Sequence, residues 1–226
     1  MSIELLNISD EKVLKGGIYS LSEAALYAKV STKTLKRWYL GDARTNKVME
    51  NYDLIEEGKY LNFLDFIQAL GIRELRIHYN IPLPKIREAI KLANDDYGIK
   101  YPFAKNHQTF YDGNGIFIQL KDEFIQLTKP HQNQLTMRPI VEYYLQELKF
   151  NEEGYAHQYR PKKGILLDPK IRFGEPLLEK NGITALTIYE AILTEGDINV
   201  VSDLFEISTE EVNLAFGYID SLKNAA

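Results

Sequence analysis

Lys33, Lys36 and Arg37 fall within five consecutive residues, between Thr32, Thr34 and the apolar Leu35, Trp38 and Tyr39. Set on a helix at 100° per residue, the three cations gather on one side and Leu35, Trp38 and Tyr39 on the other. Guanidinium and ammonium groups on an exposed helix face can neutralise phosphates or reach guanine O6 and N7, and Ser31, Thr32 and Thr34 can add short hydroxyl contacts. Lys29, Arg44 and Lys47 extend the basic stretch, so residues 29–47 hold six cations against Asp42 alone. The plainer use of such a face is solvation, and the two uses are separated by what surrounds it.

Around this segment the elements can be placed from caps and periodicity. Ser20 with Glu23 makes a capping box, which starts a helix at Leu21. Leu21, Ala24, Ala25 and Ala28 share one face, and three alanines let a second helix approach closely. The first helix should end near Lys29 and Val30, with Ser31 as the N-cap of the next. Two short helices joined by a tight turn, the second one basic and outward, is the layout of a DNA-reading helix-turn-helix. Downstream, Phe63, Phe66, Ile67 and Leu70 form one core stripe and Ile86, Ala89, Ile90 and Ala93 another, with Pro84 at the start of the second helix.

From about Gly98 the pattern turns aromatic and turn-rich. Thr109–Tyr111 and Ile116–Ile118 flank Asp112-Gly113-Asn114-Gly115, a hairpin signal, and a second hairpin is expected across Leu148–Tyr159 around Asn151-Glu152-Glu153-Gly154. Residues 139–147 fit helix or strand equally. Arg160-Pro161-Lys162-Lys163-Gly164 reads as a basic connection. The end of the chain is helical: Ile198, Val201, Leu204 and Phe205 share a face, as do Val212, Ala215, Phe216 and Ile219, the last helix opening with a Ser208/Glu211 capping box. Its outer face carries Asp203, Glu206, Glu210 and Glu211, which repel phosphate and suit protein contact or plain solvation.

The bulk properties bound the function. A chain of 226 residues suits two or three modules, and 45% hydrophobic residues are enough for a packed core. With no cysteine there is no disulfide, iron–sulfur cluster or thiol nucleophile. His78, His107, His131 and His157 have no partner at ligand spacing, so no metal is expected; no phosphate-cradling glycine loop or nucleophile elbow is visible, so no cofactor and no catalysis are expected. The N-terminus lacks a basic, long apolar leader and no run reaches membrane-spanning length, which points to a cytoplasmic protein without membrane contact. The net charge of −5 argues against generic nucleic-acid affinity, but residues 1–100 are nearly neutral and the acidity lies beyond them. DNA affinity, if present, must come from the local basic stretch.

Tyr19–Ala25 through Thr34–Tyr39, with Arg73-Glu74-Leu75 and Leu83-Pro84-Lys85-Ile86-Arg87-Glu88-Ala89 further on, resembles the winged helix of the mercury-resistance-regulator (MerR) type, over about residues 17–95. The resemblance implies binding to double-stranded DNA through Lys33 to Tyr39, with a wing around Arg44 and Lys47 on the backbone. Without cysteine, thiolate metal sensing is excluded, and no long dimerisation helix is evident. Asp168-Pro169-Lys170-Ile171-Arg172-Phe173-Gly174-Glu175-Pro176, followed by Gly182-Ile183 and helices, resembles a small family of unknown function often tied to toxin–antitoxin loci. Together the two resemble VapB-type antitoxins. The expected architecture is α+β: a winged helix-turn-helix over 1–98, a β-rich middle over 99–160 and a three-helix antitoxin-associated domain over 161–226. The resemblance implies a homodimer that represses its own operon and neutralises a PIN-type ribonuclease toxin. A stand-alone regulator without a toxin, and an adaptor that binds only protein, remain open alternatives.

Overall fold

The structure, a computed structural model, describes residues 14, 16–42, 46–49, 60–106, 108–111, 115–120, 123–128, 138–139 and 147–225. These build a mixed α+β fold. A short strand β1 (Gly17–Ser20) pairs antiparallel with β2 (Tyr60–Asn62). Between them lie helices α1 (Leu21–Tyr27) and α2 (Thr32–Leu40); after β2 come α3 (Phe63–Ile77) and α4 (Leu83–Tyr97). Each start has a local cause. Ser20 and Glu23 form the reciprocal capping box of α1, Asn62 and Asp65 that of α3, and Pro84 sits in the first turn of α4, where its missing N–H leaves no bond unmade. At the far end of α4, Gly98 takes the left-handed conformation that closes the helix.

The middle of the chain forms two four-stranded antiparallel sheets. One is ordered β5-β4-β3-β6, from β3 (Gln108–Tyr111), β4 (Ile116–Leu120), β5 (Glu123–Gln126) and β6 (Arg138–Pro139). Its β3–β4 pairing is the first expected hairpin, with Thr109 opposite Ile118; the turn residues 112–114 and the ambiguous stretch 140–146 lie outside the described residues. The other sheet is ordered β10-β9-β8-β7, from β7 (Leu148–Phe150), β8 (Ala156–Lys162), β9 (Ile165–Leu167) and β10 (Leu177–Leu178).

Here the structure differs from the sequence expectation. Arg160 and Pro161 are inside β8, and Lys163-Gly164 is the tight turn into β9, so position 160/161 is mid-strand and not a connection between modules. Pro161 leaves a trace all the same: it has no N–H, and the β8–β9 register shifts between Tyr159 and Lys162. Pro, Gly and three cations in a row read as a linker because nothing local reveals the flanking strands. Three helices complete the fold: α5 (Ala185–Glu195), α6 (Ile198–Phe205) and α7 (Thr209–Lys223), the last opened by the Ser208/Glu211 capping box.

One hydrophobic cluster of the described residues runs from Leu14 to Leu222 and joins side chains of the N-terminal helices, both four-stranded sheets and the C-terminal helices. Phe66 of α3 packs edge-on against Tyr159 of β8 at 5.9 Å between ring centres, and against Tyr19 at 5.1 Å. Gln68 of α3, fully buried, accepts the backbone N–H of Phe103 at 2.9 Å. One link joins residues 155 positions apart: the buried Tyr19 hydroxyl donates to the Gly174 carbonyl at 2.9 Å. Gly174 has φ +77°, and a Cβ there would stand 2.2 Å from the Tyr19 oxygen, so the site admits only glycine. The preceding Asp168 is buried and shapes this loop by accepting from Gln158 Nε2 at 2.7 Å and from the Lys170 N–H at 2.9 Å.

Candidate nucleic-acid interface

Of the basic residues singled out from the sequence, Lys33, Lys36 and Arg37 sit on α2, and α1 holds that helix in place. Ala24, Ala25 and Ala28 are at most 1% exposed, and their small side chains let α2 pack directly on α1. The connection is closed by backbone bonds from Lys29 N to Leu26 O at 3.0 Å and Val30 N to Ala25 O at 3.0 Å, with Lys29 at φ +53°. Ser31 then caps α2: its Oγ accepts the Thr34 N–H at 3.2 Å and donates to the Thr34 hydroxyl at 2.9 Å. Leu35 and Trp38 bury their side chains beneath the helix.

On the opposite face Lys33 and Lys36 are exposed and Arg37 is half-buried, with Thr32 and Thr34 half-buried beside them. The structure therefore brings Ser31, Thr32, Lys33, Thr34, Lys36 and Arg37 together on the outer side of one short helix. Tyr39 does not belong with them. It was expected among the DNA contacts, but it is 1% exposed and its hydroxyl donates to the Asp65 carbonyl at the start of α3. The reason is angular: Tyr39 follows Leu35 by four residues and shares its core face. It anchors α2 instead of contacting a ligand.

Beyond α2 the chain turns at Gly41, φ +72°, and the described residues 46–49 return along the helix end. The N–H groups of Val48 and Met49 donate to the Trp38 carbonyl at 2.6 and 3.2 Å. From α4, Arg87 reaches across with Nε to the Lys47 carbonyl and Nη2 to the Asn46 carbonyl, both at 2.8 Å. Lys47 is exposed on a backbone fixed from two sides; Arg44 lies outside the described residues. Sequence reasoning gave Arg87 no role at the site. Its partners are 40 and 41 residues away, and its only local signal is a cation on the outer side of an amphipathic helix.

The C-terminal helices present a different surface. Asp203, Glu206 and Glu210 are exposed, whereas Glu211 is engaged by the Ser208 N–H and hydroxyl, by Asn181 at 3.1 Å and by Lys180 at 3.7 Å. Those hydrogen bonds from Ser208 hold its carboxyl below the usual range. Among the apolar side chains of these helices, Leu193 of α5 and Val200 and Leu204 of α6 are 64%, 46% and 62% exposed. Among the described residues no group of three His, Asp or Glu side chains converges to hold a metal ion, and no helix is long and apolar enough to cross a membrane.

No family model matches the chain. It is similar to a Mycobacterium tuberculosis protein named "Putative antitoxin VapB45", with 22% identity over 227 residues, 89% of this chain and 93% of that protein. Its fold is similar to the crystal structure of Rv2018 from Mycobacterium tuberculosis, with a TM-score of 0.56 and 19% sequence identity over 88% of this chain and 97% of that one.

Proposed function

We propose that this protein is a non-enzymatic, antitoxin-like transcriptional regulator that binds the DNA of its own operon and neutralises a cognate toxin. The observation that carries the DNA half is the outward face of α2: Lys33, Lys36 and Arg37 on a helix capped by Ser31 and anchored by Leu35, Trp38 and Tyr39. In this reading α1 and α2 are the helix-turn-helix of a MerR-like winged domain, and α2 enters the major groove. The side chains of Lys47 and Arg44 lie along the phosphate backbone. Two copies bind as a homodimer to half-sites about 34–36 Å apart, one helical turn of DNA.

The antitoxin half rests on the likeness to the mycobacterial protein along most of both chains. The acidic and apolar surface of α5 and α6 supports it, with Leu193 and Leu204 beside Asp203 and Glu206 as the contact face for a PIN-type ribonuclease. Two packed helices that each leave a leucine more than half exposed favour a protein partner. The three-part division at residues 98 and 160 is then a division of roles, since the sheet itself continues through position 160.

Fluorescence anisotropy with the DNA upstream of the gene, against scrambled DNA, tests the DNA half. Wild type is expected to prefer its own sequence and to weaken as salt rises, because cations on phosphate release counterions. The Lys36→Ala/Arg37→Ala double variant is expected to lose about tenfold or more in affinity. Equal binding of the two DNAs at low salt, or an unchanged double variant, refutes a DNA-reading α2. Co-purification with the product of the adjacent gene tests the antitoxin half separately.

A further inference from the structure

Beside the basic face of α2 the surface folds inward to a cavity of about 650 Å³, walled by the end of α2, residues 46–48, the α3–α4 connection and the first turn of α4. Its size is within the roughly 300–1,000 Å³ of small-molecule sites. Three guanidinium groups line it, those of Arg37, Arg76 and Arg87, and no carboxylate does among the described residues. The hydrogen bonds of Arg87 go to two backbone carbonyls; those of Arg76 go to the Asn80 side chain at 3.4 Å and the Ile81 carbonyl at 3.3 Å. Neutral acceptors orient a guanidinium without cancelling its charge, so three like charges share one concavity and focus positive potential there. Two more donors of the same wall lack an acceptor: the buried Nε of Arg37 and the Nε1 of Trp38, a residue 2% exposed. A buried N–H without a partner is an uncompensated cost. The cavity also has an apolar lining, to which Trp38, Leu83 and Pro84 contribute.

We propose that this cavity binds a small phosphate ester. The phosphate sits among Arg37, Arg76 and Arg87, whose planar forks match its oxygens, and the organic body lies against Trp38, Leu83 and Pro84. A dianion supplies the counter-charge that the three arginines lack, and a small shift of the Arg37 and Trp38 side chains gives their N–H groups an acceptor. Arg37 belongs both to this cavity and to the outer face of α2, so occupancy acts on the helix proposed to read DNA. A DNA backbone offers the same phosphate chemistry, and the two sources are separable by experiment.

Trp38 is the only tryptophan in the chain, so its fluorescence reports on the cavity directly. The full-length protein is titrated at fixed ionic strength with phenyl phosphate, inorganic phosphate and phenol. Phenyl phosphate is expected to give a saturable change, inorganic phosphate a midpoint about tenfold weaker, and phenol no saturation. Arg76→Gln, at an exposed position, is expected to raise the phenyl phosphate midpoint about tenfold or more, whereas Lys33→Ala/Lys36→Ala leaves it unchanged. Absence of a phosphate-specific change in wild type, or an unaltered midpoint in both Arg76→Gln and Arg87→Gln, overturns the proposal. With upstream DNA bound, a free-ester site still saturates with phenyl phosphate; one-for-one displacement by DNA assigns the cavity to the DNA backbone and overturns the ester. If the protein binds no DNA, the fluorescence titration still decides the cavity on its own.

Discussion

Glu147 lines a second, smaller cavity of about 220 Å³, where the turn after α1, the second half of α3, β8 and α7 meet; Lys29, Arg73, Glu74 and Tyr218 line it too. Burial is the main influence on its carboxyl and raises its pKa above the ordinary 4.5; the nearby Glu74 adds to this, while the hydrogen bond with Tyr159 and the charge of Lys29 offset part of it. A raised acid favours its neutral form in the folded state. The stabilisation is therefore fully present below about pH 4.5 and is lost as pH rises through the raised value. Glu147→Gln, which keeps an acceptor for Tyr159 but cannot ionise, is expected to be more stable than wild type at neutral pH. The gap should close as pH falls below 4.5. Urea denaturation midpoints at several pH values measure this; a variant less stable at neutral pH, or a gap that widens in acid, would show that the charged form is the favoured one.

At the scale of elements, α2 has nine residues and depends on its cap and its anchors, since so short a helix is marginal alone. Ser31→Ala is expected to cost about 1 kcal/mol of folding stability. Ser31→Asp caps equally well and should keep the stability, yet place a carboxylate beside the basic face and weaken DNA binding. Chemical denaturation and anisotropy on the same pair separate the two effects, and a stability loss in both variants would deny Ser31 its capping role. The elements were legible in the sequence wherever their cause is local. The boxes at Ser20/Glu23 and Ser208/Glu211, the cap at Ser31 and the stripes of α3 and α4 all stand where residue types and a 3.6-residue period put them. Of the candidate site, the outward set Lys33, Lys36 and Arg37 was legible for the same reason. Tyr39 was assigned by segment and not by angle, and the Arg87 clamp was hidden because its geometry depends on how two helices cross. Arg160–Gly164 misled because a strand end and a linker share the same residues.

Taken as a whole, the molecule does not divide where its resemblances do. The helices proposed to read DNA and the helices proposed to meet the toxin share one hydrophobic cluster, stitched by Phe66 against Tyr159 and by Tyr19 against Gly174. Residues 1–98 alone would expose the buried side of α3 to water. On heating, the full chain is expected to lose Trp38 fluorescence and far-ultraviolet circular dichroism in coincident transitions. The isolated 1–98 piece is expected to melt lower and less sharply. Two separated transitions, or a fragment as stable as the same residues in the full chain, would show two independent folding units.

The contact between Tyr19 and Gly174 carries a consequence for descent. Because a side chain at 174 would collide with the phenol at 19, position 174 cannot drift while the tyrosine stays. In a lineage that keeps the tyrosine, glycine at 174 is held under selection, and one that loses the ring has the steric bar at 174 removed although φ +77° still favours glycine. When front and rear halves are exchanged between diverged relatives, a front half with the tyrosine should join well only to a rear half with the glycine, so a genealogy of such proteins would record exchanges between 19 and 174 in one direction more than the other.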